Sequence, residues 1–161
     1  MNKKITIILF VLLFSIILPQ SNLFAFGWGE TRFGLGLGMP NTVLILRSGP
    51  YDIKVGYDFT DGSEYFFLNG SYMLVTSRPL NHIFSCSFGI GAFTKFFFGN
   101  DDEEENNFMG GLNMPISVEV SFLDNFLQFF VMAAPGIELY PKPMLTTRSI
   151  CWWIGFTILL D

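Results

Sequence analysis

From Arg32 onward the chain alternates between large apolar side chains and small or polar ones. Residues 32–39 set Phe33, Leu35, Leu37 and Met39 on one face and Gly34, Gly36 and Gly38 on the other. That period of two belongs to an extended strand with two unlike faces. Residues 51–60 repeat it, with Tyr51, Ile53, Val55, Tyr57 and Phe59 opposing Asp52, Lys54, Gly56, Asp58 and Thr60. Residues 111–122 do so again, with Leu112, Met114, Ile116, Val118 and Val120 against Asn113, Pro115, Ser117, Glu119 and Ser121. The same rule predicts strands over residues 42–47, 65–75, 83–98, 127–139 and 150–160, separated by Gly, Pro, Asn, Asp and Ser turns. The chain is therefore predicted to be all-β with eight antiparallel strands, the second of them short.

The polar face identifies the kind of sheet. A solvent-washed face carries dense Lys and Glu, which also protect edge strands. Here it carries Gly, Ser, Thr, Asn and Ala with scattered charges. Small polar residues opposite large apolar ones fit an up-and-down transmembrane β-barrel, with the small residues in the lumen and the large ones toward lipid. An eight-stranded closure leaves room only for side chains, which suits Gly and Ser.

Residues 1–25 read as a signal peptide: Lys3 and Lys4, an apolar run from Ile5 to Leu18, the breaker Pro19, and Ala25 at the expected cleavage point. Residues 26–161 form the barrel domain. Export to the cell outer membrane is expected, with residues 48–50, 77–81 and 123–125 as short periplasmic turns. Residues 99–107 and 141–143 are then outer connections.

Composition narrows the partners. Half of the 161 residues are hydrophobic and 14% are charged, which excludes intrinsic disorder. A net charge of −5 argues against a nucleic-acid partner. Cys86 and Cys151 fall on opposite faces of separate strands and are read as small apolar fillers rather than a bridge.

From about Gly34 to Leu160 the chain resembles the small eight-stranded outer-membrane barrels of the OmpX and OmpW type. More narrowly, it resembles an uncharacterised set of spirochaete outer-membrane proteins. The resemblance is carried by Met114-Pro115-Ile116-Ser117-Val118, by Ala133-Ala134-Pro135-Gly136, and by the closing strand. That last segment looks like the signal read by the barrel assembly machinery, with Gly155 preceding Ile158 and Leu160, although it ends in Asp161 rather than an aromatic residue. Such barrels include adhesins, narrow channels and enzymes, so the resemblance carries no activity.

Interior charges are the candidate chemistry, because an ion in a narrow lumen must be paired. Lys54 and Glu119 fall in the periplasmic half; Lys95, Asp58 and Glu138 fall in the outer half. Two ionic layers are expected, Lys54 with Glu119 and Lys95 with Asp58 or Glu138, acting as a polar plug. The acidic run Asp101, Asp102, Glu103, Glu104 and Glu105 lacks the spaced ligands of a calcium loop and reads as a solvated surface loop. Five carboxylates could still meet a basic external protein. The single histidine, His82, marks neither a metal cluster nor a triad. Trp152, Trp153, Tyr140 and Tyr51 are read as interface aromatics.

The expected function is a structural and surface-interaction barrel without catalytic residues, cofactor or metal. Its partners are the lipid bilayer, the assembly machinery and an external protein. A narrow channel or a transporter for small or hydrophobic solutes is the alternative, and a membrane-embedded lipid-modifying enzyme a further one.

Overall fold

The computed structural model describes residues 30–59, 64–80, 83–98, 108–144 and 149–160. They form ten strand segments: β1 (Thr31–Met39), β2 (Val43–Ser48), β3 (Tyr51–Asp58), β4 (Tyr65–Leu80), β5 (Phe84–Phe97), β6 (Phe108–Asn113), β7 (Ile116–Phe122), β8 (Leu127–Ala134), β9 (Gly136–Tyr140) and β10 (Cys151–Leu160). Neighbouring segments pair antiparallel, β1 pairs with β10, and the β4–β5 pairing joins the ends of the ladder. The result is a closed barrel of eight staves, with no helix among the described residues.

Two staves are composite, β6 with β7 and β8 with β9, where the sequence pattern predicted single strands. The breaks fall at Pro115 and Pro135, which have no N–H to give the ladder. The ladder nevertheless continues, because each proline carbonyl accepts a bond: Gly89 N–H to Pro115 O at 2.9 Å, and Met114 N–H to Pro135 O at 2.9 Å. β4 also runs farther than residues 65–75. It stays paired with β5 to Leu80↔Phe84, with irregularities at Met73/Val75 and Ser77/Leu80, so residues 77–80 are strand rather than turn. A hydroxyl pair, Thr76 with Ser87 at 2.9 Å, helps to carry the ladder through that stretch.

The two rims differ. The near rim holds the connections β2–β3, β4–β5 and β7–β8; the far rim holds β1–β2, β3–β4, β5–β6 and β9–β10. The β2–β3 turn has two residues, and Gly49 takes the φ of 54° that its tight reversal requires. Leu123, Asp124 and Asn125 all have positive φ in the β7–β8 turn.

Burial alternates along every stave and is inverted relative to a water-washed sandwich. Leu37 is 61% exposed, whereas Lys54 is fully buried. Phe33, Leu35, Leu44, Ile53, Leu112, Val131 and Ile154 stand outward, while Asp52, Asn69, Ser71, Ser117 and Thr157 point inward. Along the β1–β10 seam Gly34 lies beside Thr157 and Gly36 beside Gly155. A methyl group on Gly34 would run into the Phe156 carbonyl, and one on Gly155 into that of Leu35.

Candidate functional site

The lumen is the candidate site. In its near half, charged side chains from β2, β3 and β7 converge. Arg47 is the hub: its Nε donates to Asp52 Oδ2 at 2.9 Å and its Nη1 to Glu119 Oε1 at 2.8 Å. Lys54 Nζ donates to the other Asp52 oxygen at 2.6 Å. Glu119 also accepts from Ser85 at 3.1 Å and Ser117 at 3.0 Å, so both of its oxygens are bonded. Below this cluster Arg32 meets Glu30 at 3.5 Å and bonds the Asn125 carbonyl. Arg32, Arg47 and Lys54 are thus matched by Glu30, Asp52 and Glu119, the balance that buried ions require.

Lys54 and Glu119 therefore belong to one cluster, joined through Arg47 and Asp52: the cation that bonds Glu119 is Arg47. Neither linker is among the interior charges that the sequence pattern marks as candidates. Asp52 lay on the inward parity of a clean strand and was legible there. Arg47 was hidden because β2 carries large apolar residues on both faces, Val43 and Ile45 inside and Leu44 and Leu46 outside.

Above the ions sits an aromatic plug. Arg47 Cζ lies 4.7 Å from the Phe130 ring centre and Lys54 Nζ 5.3 Å from that of Trp153, distances at which ring quadrupoles attract cations. Phe67 packs on Trp153 with centroids 5.9 Å apart, and Ile45, Phe93, Met73 and Met132 fill the remaining space. Phe67, Phe93 and Phe130 are buried in this plug, and Phe97 packs partly buried against it. Trp153 corrects the reading as an interface aromatic. It shares the inward face of Cys151 and Thr157, is wholly buried, and donates its indole N–H to Asn41 O at 3.2 Å. Trp152, Tyr140 and Tyr51 are exposed on the outside.

Toward the far rim, Lys95 is buried with its Nζ 5.2 Å from the Tyr65 ring centre, and the Tyr65 hydroxyl donates to Pro40 O at 3.1 Å. Asp58 closes β3, half-buried. Glu138 is buried in β9, its backbone bridged to Met144. Gly155 lies on β10 opposite Gly36 and Phe130; Ile158 is half-buried and Leu160 exposed. Cys151 is buried inside and Cys86 sits half-buried on β5, both as free thiols. Residues 1–25, His82 and the acidic run from Asp101 to Glu105 lie outside the described residues.

Chemically, the cluster holds opposite charges in place against one another. Its carboxylates are each committed to Arg47, Lys54 or serine hydroxyls. Among the described residues no three His, Cys, Asp or Glu side chains gather as a metal would need. No family model, curated protein or solved structure matches this chain.

Proposed function

We propose that the protein is an integral outer-membrane β-barrel, exported by its N-terminal signal, that serves the envelope structurally and presents its far-rim loops to external partners. One observation carries the reading: the barrel buries Lys54, Asp52 and Asn69 and turns Leu, Ile, Val and Phe outward. That arrangement is costly in water and favourable in hydrocarbon. The tight turns at the near rim and the longer connections at the far rim support the near rim as periplasmic.

The plug favours a structural role over a channel. Trp153 and Phe67 are wholly buried, and they lie directly above the ionic cluster. Refolded protein in a planar bilayer is expected to give no stepwise conductance. Reproducible channels abolished by Lys54→Met or Glu119→Gln would replace the structural reading with a conducting one.

The acidic run 101–105 is the proposed contact for a basic protein surface. Its deletion weakens such binding, and added salt weakens binding of the intact chain in the same way. Binding unchanged by the deletion removes that loop from the function.

A further inference from the structure

The barrel wall is not evenly convex. Two adjacent staves break at one level, at Pro115 between β6 and β7 and at Pro135 between β8 and β9, and the continuous neighbouring strand β5 carries Gly89 and Gly91 there. Registers place these together, since Gly91 pairs with Asn113 and Asn113 with Gly136. β4 contributes Gly70, above which a side chain would find open space. The outer surface here forms a groove of about 940 Å³. Its walls are Ile53, Ile90, Leu112, Met114, Ile137 and Leu139, and no charged residue lines it. At one end stand Tyr51 and Tyr72, edge to face at 5.5 Å beside the near-rim turn.

We propose that this groove is a binding site for one hydrocarbon chain of a membrane glycerophospholipid from the near-rim leaflet. The proposal rests on the membrane reading above. The groove is continuous with the outward apolar belt, so the molecules that reach it there are acyl chains. The uncharged lining gives an ion, a sugar or a charged peptide nothing to pair with, and the volume is that of a small-molecule site. The tyrosine pair, next to the β2–β3 turn, sets polar hydroxyls on apolar rings at one end of the groove, the kind of side chain favoured where a lipid headgroup meets its chains. Gly70 and the prolines thus acquire a role beyond folding: they keep a chain-wide furrow open in a surface that would otherwise offer lipid only a convex wall.

The test is native mass spectrometry of full-length protein reconstituted in phosphatidylethanolamine–phosphatidylglycerol vesicles and extracted in mild detergent. The wild type is expected to retain one phospholipid. Gly70→Leu, which places a side chain in the furrow, reduces retention about tenfold, the ratio expected when a few methylenes lose their contact. Ile90→Trp, which fills it from an exposed outward position, does the same if Gly70→Leu does not fold. Ile154→Trp, outside the groove, leaves retention unchanged. Protein that inserts but retains no lipid, or retains it equally in the filled variants, overturns the proposal while leaving the membrane reading intact. A dimer lost on filling the groove overturns it in favour of a contact between copies. Protein that never enters the vesicles overturns both.

Discussion

Arg47 and Glu119 join opposite walls of the barrel: Nη1 and Oε1 lie 2.8 Å apart, although β2 and β7 stand four staves from each other whichever way the eight-stave ring is followed. Asp52 and Lys54 extend the tie to β3. A narrow barrel is held in cross-section by its wall ladder; this cluster adds a strut through the middle.

Removing one end of the strut strands the other. Glu119→Ala leaves Arg47 with Asp52 as its remaining carboxylate and is expected to cost about 3–5 kcal/mol, the usual result of breaking a buried ion pair. Glu119→Gln, which keeps the shape and an acceptor for Arg47, costs less. Urea unfolding of the vesicle-inserted barrel, followed by tryptophan fluorescence, measures both. Equal midpoints for Glu119→Ala and wild type would remove the strut from the account.

Trp153 closes the space above it. Trp153→Ala is expected to destabilise by about 3–5 kcal/mol, as large aromatic truncations in packed cores do. It also loosens the packing around Cys151, which lies two residues away on the same inward face and is wholly buried. In a Cys86→Ser background Cys151 is the single thiol of the chain, and a water-soluble maleimide should leave it unlabelled until Trp153 is shortened. Rapid labelling with Trp153 intact would mean that the plug is not tight.

The seam between β1 and β10 depends on missing side chains. Gly34→Ala and Gly155→Ala each put a methyl group against the facing backbone carbonyl, so both are expected to impair closure and lower the yield of the compact form on a cold gel. Gly70→Ala faces open space and should stay within about 0.5 kcal/mol of wild type. If all three behaved alike, glycine at the seam would be unrelated to closure.

Much of this architecture was legible in period two. The stretches around Phe33 to Met39, Tyr51 to Phe59 and Ile116 to Phe122 alternate so regularly that strand, parity and inward residues follow together, including Lys54 and Glu119. Two kinds of information were not in the pattern. Breaks at Pro115 and Pro135 leave the parity unchanged, so alternation runs through them, and only the missing N–H marks the segment ends. Arg47 sat in a short strand with apolar residues on both faces, where alternation carries no contrast. Trp153 shows the converse limit. Its parity pointed inward, but tryptophan beside tryptophan invited an interface reading, and only the neighbouring staves show that there is room for it inside.

The central claim is that this inverted barrel lives in the outer membrane, and electrophoretic heat-modifiability of the outer-membrane fraction tests it most directly. The account predicts that the protein partitions with that fraction and migrates faster in unboiled than in boiled samples, because the closed barrel resists detergent until heated. A protein found in the soluble fraction, with the same mobility before and after boiling, would contradict it.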